Sequence, residues 1–266
     1  MAGRRVAVLS GLKRSPAPKP AESPAPGTYR RAAGYDPEWV RDNALGENAL
    51  CQVEGLVFHM PLHHGMRVLD LACGKATSSI FLALEYGVEA WAVDGMISPS
   101  DNLQRAADMN CATQVFPLRA DAHQLPFARH FFDAVIAVDS FLYFGTDDRY
   151  LAYLAQFIRP GGQIGIVDIA LSREITELEQ APAFLREQYH RYWSSVHSVG
   201  WWRKHWEKTG LVEITHAGVL PESDKILLDY VDGRPPGQQE DCIMRAVPRD
   251  HGGLLTLFCM VARKRR

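Results

Sequence analysis

The stretch RVLDLACGKATSS, residues 67–79, decides the fold. Its first residues are mostly apolar and are typical of a buried strand, and the small residues Ala72 and Gly74 that follow favour a tight turn. The chain then continues into TSSIFLALEYG, which has the pattern of a helix ending at Gly87. A strand, a small-residue turn and a helix N-terminus in this order are a common way to hold a cofactor.

Strand-like and helix-like runs alternate on both sides of this stretch. Further helices are predicted to start after Ser98 and to stop at Pro160 and Gly161. Strands that alternate with helices predict a parallel sheet covered on both faces. The strand-like runs are residues 67–72, 88–94, 113–121, 132–139 and 162–171.

The alternation changes after residue 171. Residues 172–209 look mostly helical and are rich in aromatic side chains. Strand-like runs at 211–220 and 254–262, joined by a long connection, predict an antiparallel pair at one sheet edge. The sequence therefore predicts an α/β fold: a doubly wound, mostly parallel, seven-stranded Rossmann-like sheet with an antiparallel C-terminal edge hairpin and a helical cap.

The chain has 266 residues, of which 47% are hydrophobic, enough for one large core. Residues 13–28, KRSPAPKPAESPAPGT, hold five prolines, so residues 1–28 are predicted to be a flexible Pro/Ala-rich tail. Residues 29–266 are predicted to form one domain, with 172–209 as a cap within it.

Charge and cysteine usage limit the classes of partner and the location. A formal net charge of -2 gives no basic excess for nucleic acid, and no apolar run is long enough to span a membrane. The five cysteines are widely spread with no CxxC pair, which predicts thiols in a reducing cytoplasm. His59, His63 and His64 are interpreted as surface residues before the first strand, and no metal is expected.

In an open α/β sheet, ligands bind at the carboxyl ends of the strands. A pyrophosphate needs the GxGxxG pattern, and a turn with Gly74 alone argues against a dinucleotide. Asp94 lies 24 residues after Asp70, close to the offset of roughly 20 at which an acid receives ribose hydroxyls. A strand-ending Asp is also a common turn former or helix cap. Asp121 can accept from an adenine amine while Ala122 offers a backbone N–H, although a surface loop Asp is the plainer interpretation.

These motifs resemble those of a known family. VLDLACGKATSS, VEAWAVDG, ADAHQLPFARHFFDAVIAVDSFLYF and YLAYLAQFIRPGGQIGIVDI are similar to the successive motifs of class I S-adenosylmethionine-dependent methyltransferases, in the small-molecule branch of the type 11/25 kind. The resemblance covers about residues 40–171. It includes WVRDNALGENAL, which resembles the helical lid that closes over the cofactor.

The resemblance implies a cofactor, S-adenosylmethionine, with S-adenosylhomocysteine as product, and a role for each matching residue. Asp70, Ala72 and Gly74 would shape the methionine pocket. The other cofactor-binding residues would be Asp94 and Gly95 at the ribose, Asp121 and Ala122 at the adenine, and Asp139 beside the reacting methyl group. The family usually has glycine at the positions of Ala72 and Ala76, so this chain departs from its pattern twice.

Aromatic residues suggest where the methyl acceptor binds. Phe141 and Tyr143 follow the fourth strand, and Trp193, Trp201 and Trp202 lie in the aromatic segment. A pocket walled by such side chains would suit an apolar, aromatic or cationic small molecule. Core packing is the alternative for each of them.

A hydroxyl or amine acceptor must lose a proton, so a base would help. His197 is the leading candidate and His123 the second, although lone histidines are usually structural. Tyr143 is the other catalytic candidate, at the strand end beside the reacting centre.

Two further functions stay open: a non-methylating protein on the same fold, such as a cyclase, isomerase or binding protein, and an NAD-dependent oxidoreductase. The oligomeric state, a homo-oligomer included, is also open.

Overall fold

The computed structural model describes residues 29–187, 193–233 and 242–266. The predicted tail at 1–28 lies outside these residues. The chain forms a seven-stranded sheet with strand order β3-β2-β1-β4-β5-β7-β6. The strands are β1 Arg67–Leu71, β2 Glu89–Asp94, β3 Leu118–Arg119, β4 Phe132–Val138, β5 Ile158–Leu171, β6 Val212–Val219 and β7 Leu255–Lys264.

The parallel part of the sheet runs from β3 to β5, and β7 then pairs antiparallel with both β5 and β6. The predicted mostly parallel, Rossmann-like sheet with an antiparallel C-terminal hairpin is confirmed. Strand order reverses direction between β1 and β4, which is the switch point where ligands bind in such sheets.

Helices cover the sheet at positions that the sequence signals. The helix after β1 ends at Gly87, which has φ of 65°, and the next helix is preceded by Ser98 as its cap residue with proline in its first turn. The helices are α1 Pro37–Asn43, α2 Ala49–Val57, α3 Thr77–Tyr86, α4 Pro99–Asp108, α5 Tyr150–Leu154, α6 Ala183–Arg186, α7 Val199–Glu207, α8 Ser223–Asp232 and α9 Cys242–Ala246.

One glycine is required by the packing of α2 on the sheet. A Cβ atom on Gly165 of β5 would lie 2.3 Å from Sδ of Met60 and 3.1 Å from a methyl carbon of Leu56. The bare backbone at this position lets the helix approach β5 closely. Among the described residues, every helix is too short or too polar to cross a membrane.

Two predictions of secondary structure were wrong. The run 113–121 yields only the two-residue β3, because Pro117 has no N–H to give to the ladder. The helix before β5 ends earlier than Pro160, since β5 already begins at Ile158 and continues through Pro160 and Gly161.

The segment 172–209 was predicted to be mostly helical, and more than half of its described residues are in α- or 3-10 helix, in short separate pieces. Only α6, α7 and two short 3-10 turns form there, of which the turns cover Leu178–Gln180 and Trp193–Ser195. Pro182 and the serines before α7 favour turns and helix starts over helix interiors, so the segment is broken into pieces.

Candidate cofactor and substrate site

The turn after β1 has an unusual backbone. Ala72, Gly74 and Ala76 have φ of 56°, 54° and 59°, all in the left-handed region. An L-residue there costs about 1–2 kcal/mol relative to its preferred conformation, which is why glycine suits these positions. Ala72 and Ala76 therefore adopt the backbone conformation that glycine favours, although the sequence lacks glycine at both positions.

Asp70 lies beneath this turn and is fully buried. The hydroxyls of Ser78 and Ser79, in the first turn of α3, donate to its Oδ2 at 2.6 and 2.5 Å. Burial raises the pKa of Asp70 from 3.8 to about 6, although these two hydrogen bonds oppose the rise. The other carboxylate oxygen, Oδ1, is buried without a hydrogen-bond partner in the described residues. Asp70 therefore fixes the end of β1 to the start of α3.

Asp94, at the end of β2, ties two loops together. Its Oδ2 accepts from the backbone N–H of Gly74 at 2.9 Å. Its Oδ1 accepts from the N–H groups of Met96 at 2.7 Å and Ile97 at 2.9 Å. A carboxylate has about four lone-pair directions, so one remains for a further donor. Gly95 lies next to it, exposed, and the side chain of Met96 is 84% exposed.

The third loop carries Asp121 and Ala122. The Oδ1 of Asp121 accepts from the backbone N–H of His123 at 2.8 Å and lies 3.1 Å from its Nδ1. These hydrogen bonds lower the pKa of Asp121. The hydroxyl of Tyr150 donates to the carbonyl of Ala122 at 3.0 Å and holds the loop against the domain.

The segment Leu45–Gly46, between α1 and α2, lies over the same edge of the sheet. A Cβ on Gly74 would lie 2.7 Å from Cδ1 of Leu45. Lys75 donates from Nζ to the carbonyl of Asp42 at 2.7 Å. The segment that resembles a lid, 39–50, therefore lies against the turn. A cavity of about 460 Å³ is lined by this lid segment, by Lys75 of the turn and by the C-terminal end of α8.

Acidic side chains gather where β4 and β5 end. Asp139 follows β4 with φ of 51°, and Asp168 lies on β5, fully buried, accepting from the N–H of Leu142 at 3.1 Å. Burial raises the pKa of Asp168, and the neighbouring Glu47, itself buried, raises it further.

Tyr143 faces this acidic group, although its residue surface is 66% exposed. Desolvation of the hydroxyl raises its pKa, and the charges of Asp139, Asp168 and Glu47 raise it further. Sequence reasoning identified Asp139 and Tyr143 but missed Glu47 and Asp168. A signal existed for Asp168, because a carboxylate in the middle of the apolar run GIVDIAL must be buried.

The predicted aromatic wall divides into two groups. Phe141, Trp193 and Trp202 are buried in the core, where the ring centroid of Trp202 lies 5.8 Å from that of Phe141 and 6.1 Å from that of Phe258. Trp201 is half-buried. The core alternative thus describes Phe141, Trp193 and Trp202, and Trp201 and Tyr143 are the predicted wall residues with exposed surface.

His197 lies beside Trp201 in a hydrogen-bonded pair. Its Nδ1 is 2.8 Å from Oε1 of Glu174, and the other oxygen of Glu174 accepts from the N–H and the hydroxyl of Ser198 at 2.8 and 2.6 Å. Partial burial alone would raise the pKa of Glu174, but the bonds from His197 and Ser198 lower it. The imidazole also stacks on the Trp201 ring, with centroids 3.6 Å apart. A carboxylate that orients a histidine is a common arrangement for a base.

Comparison with known proteins shows what this chain is similar to. Residues 68–162 match the family described as methyltransferase domain. The chain is 28% identical over 154 residues to the 27-O-demethylrifamycin SV methyltransferase of Amycolatopsis mediterranei (strain S699), covering 56% of each protein. The chain spans about half the length of the curated relatives it matches.

Solved structures share the fold. The chain is similar to geranyl diphosphate methyltransferase in complex with SAM, with a TM-score of 0.64 and 16% identity over 80% of this chain and 84% of that one. It is also similar to the [4+2]-cyclase SpnF, with a TM-score of 0.68 and 16% identity over 91% of this chain and 97% of that one. At such identities the likeness shows the fold alone.

Proposed function

We propose that this chain transfers a methyl group from S-adenosylmethionine to a small-molecule acceptor, because its residues 68–162 match a family described as methyltransferase domain. S-adenosylhomocysteine is the second product. The observation that carries the proposal is the bridge from Asp94 to the N–H of Gly74, which joins two loops at the edge where Asp121 and Asp139 also lie.

The residues at this edge suit the cofactor chemically. The turn from Ala72 to Ala76 offers bare backbone, and Asp94 keeps a lone-pair direction for a ribose hydroxyl donor. The orphaned Oδ1 of Asp70 is a buried acceptor that an ammonium group or an ordered water would satisfy. Asp121 and Ala122 offer an acceptor and a backbone donor for an adenine, and the exposed side chain of Met96 offers the ring an apolar surface.

S-adenosylmethionine supplies, when bound, an electrophilic methyl group on a positively charged sulfur. The chain has to align the acceptor in line with it and exclude water. Leu45 and Gly46 lie across the turn and Asp139, which supports a role for the lid segment in covering the cofactor. Tyr143 presents an aromatic ring beside Asp139, and an aromatic face suits a cation that becomes neutral during transfer.

The acceptor side combines aromatic surface with negative charge. Besides desolvation, which is the largest cause, the charges of Asp139, Asp168 and Glu47 raise the pKa of Tyr143. Such a setting attracts an amine or stabilises a hydroxyl as hydrogen-bond donor, so we propose an acceptor with one of these groups on an apolar or aromatic body. The curated relative named for a 27-O-demethylrifamycin substrate supports a hydroxyl. His197, oriented by Glu174, is the proposed base, and Trp201 and Tyr143 are proposed walls.

Calorimetric titration of the full chain with S-adenosylmethionine tests the proposal. Asp94→Ala should weaken binding at least tenfold, and the double variant with Asp121→Ala should weaken it further. Asp101→Ala, an exposed carboxylate in the first turn of α4, is the matched control and should bind as the unaltered chain does. Unchanged affinity in both Asp94→Ala and the double variant would remove the assignment, as would tight NAD binding without S-adenosylmethionine binding.

A second function is favoured by one observation, the extensive fold similarity to the [4+2]-cyclase SpnF. In that case the cofactor would be a structural element and the pocket would rearrange a substrate. Transfer of a labelled methyl group from S-adenosylmethionine to any acceptor in an extract, with release of S-adenosylhomocysteine, excludes this second function. The family match supports methyl transfer over it and over an NAD-dependent oxidoreductase.

The cellular location and the domain boundary are also proposals. All five cysteines lie in the described residues and none forms a disulfide, which supports the reducing cytoplasm. Residues 29–266 are proposed as one domain, since helices and strands from α1 to β7 pack on a single sheet.

A further inference from the structure

Three potential metal ligands meet at the edge of the sheet formed by β6 and β7. His59 follows α2, His216 lies on β6 and Cys259 lies on β7. One ligand atom from each lies within 4.8 Å of the other two. The residues are far apart in sequence and reach one place only through the fold, so no spacing in the sequence signals the cluster.

The register of the hairpin explains how the cluster forms. Cys259 pairs with Gly218, and His216 lies two residues before Gly218 on the same strand. Side chains two residues apart on a strand share a face, so His216 and Cys259 point to the same side. Gly218 has no side chain to separate them, and a Cβ there would lie 3.5 Å from Nε2 of His216.

The two imidazoles are packed face to face. The His59 and His216 ring centroids are 3.4 Å apart with an interplanar angle of 9°. Neither ring makes a hydrogen bond or an ion pair to another described residue. Two imidazoles offer ring-nitrogen lone pairs, and the buried sulfur of Cys259 completes a soft donor set.

We propose that His59, His216 and Cys259 bind a zinc-like divalent cation, with water in the fourth position. Around a tetrahedral zinc ion, neighbouring N and S ligands lie roughly 3.3–3.8 Å apart, as its bond lengths require. Closing the cluster around the ion therefore needs about an ångström of side-chain movement and a tilt of the two stacked rings, so that their in-plane lone pairs converge. Binding forms one metal–sulfur and two metal–nitrogen bonds, and the proton of the Cys259 thiol leaves to solvent.

The bound ion would join the C-terminal end of α2 to the β6–β7 hairpin. This role is structural and does not depend on the proposed methyl transfer, because none of the three ligands belongs to the site at the ends of β1, β2 and β4. A metal that connects elements distant in sequence stabilises the folded chain, since the unfolded chain cannot hold the three ligands together.

The experiment uses the full chain, freed of metal with a chelator and titrated with zinc chloride alone. We expect saturable binding at one zinc per chain and a higher melting temperature with zinc than with chelator. Titration with cadmium should add a thiolate-to-metal charge-transfer absorption, which reports the Cys259 bond directly.

Conservative variants make the test specific. His59→Gln and His216→Gln should each weaken zinc binding at least tenfold, and Cys259→Ala should remove the cadmium absorption. His63→Gln, four residues from His59 and exposed, is the control and should bind zinc as the unaltered chain does. Circular dichroism without metal should show that the glutamine variants are folded. Zinc binding that is absent, or equal in folded His59→Gln, His216→Gln and His63→Gln chains, overturns the proposal.

Discussion

Gly46 and Asp139 are in such close contact that a Cβ atom on Gly46 would lie 1.7 Å from Oδ2 of the Asp139 carboxylate. The lid segment thus reaches the end of β4 through bare backbone. A similar close contact joins the lid segment to the end of β1, where a Cβ atom on Gly74 would lie 2.7 Å from Cδ1 of Leu45. Two strand ends that are proposed to hold the cofactor therefore contact the same short segment.

Gly46→Ala should move the lid segment or Asp139, because Cβ contacts under 3.0 Å are essentially never observed. We expect the variant to fold, to bind S-adenosylmethionine about tenfold more weakly and to be cut faster by trypsin at Arg41. Gly34→Ala is the control, since nothing lies within 4 Å of a Cβ there. Equal affinity and equal cleavage in the two variants would show that closure of the segment is not needed.

Asp70 should make the protein less stable as pH rises from about 4 to about 6. Its pKa in the fold is about 6 against 3.8 unfolded, so in this window the unfolded chain releases a proton that the folded chain keeps. The shift of about two pKa units corresponds to about 3 kcal/mol of unfolding free energy, lost by pH 7.

Asp70→Asn should lack this loss, because an amide does not ionise. Urea denaturation of both chains at pH 4, 5, 6 and 7 measures the difference, and the unfolding free energy of the unaltered chain should fall relative to the variant as pH rises. Asp101→Asn, at an exposed position, should follow the unaltered chain. Parallel curves for all three proteins would mean that Asp70 ionises as readily in the fold as outside it.

Trp201 and Trp202 should respond differently to truncation. Trp202 is fully buried between Phe141 and Phe258, so Trp202→Ala should lower the unfolding free energy by about 3–5 kcal/mol. Trp201 is half-buried and stacks on His197, so Trp201→Ala should cost about 1 kcal/mol and raise KM for the acceptor. Thermal unfolding and steady-state kinetics check both. A large stability loss from Trp201→Ala with unchanged KM would place that ring in the core as well.

Local patterns predicted the elements that local chemistry determines. Gly87 ends α3, as glycine commonly does. Ser198 caps the start of α7, where its hydroxyl accepts from the N–H of Trp201 at 3.3 Å. The parallel sheet and its antiparallel edge followed from the order of apolar runs. The helical content of 172–209 was predictable, but its division into short pieces was not, because tertiary contacts decide where those pieces begin and end.

The site was predictable where it follows from strand ends. Asp94, Asp121 and Asp139 lie at one sheet edge because parallel strands place their carboxyl ends together. Glu47 arrives from the lid segment, and no residue pattern near it indicates that it contacts the acidic group. The cluster of His59, His216 and Cys259 could not be predicted from the sequence either, because its three residues come from separate elements of the fold.

The pair formed by His197 and Glu174 predicts a specific pattern of kinetic defects. If His197 accepts the acceptor's proton, His197→Gln should lower kcat about 100-fold, within the usual range for a general base. Glu174→Gln keeps a hydrogen-bond acceptor but removes the charge that orients the ring, so it should lower kcat about tenfold and leave KM for S-adenosylmethionine unchanged.

His251→Gln, at an exposed loop position, is the matched control. Rates measured from S-adenosylhomocysteine release separate the cases. If His197→Gln keeps the full rate, the proton goes elsewhere, and the buried carboxylates Asp168 and Glu47 become the groups to replace next.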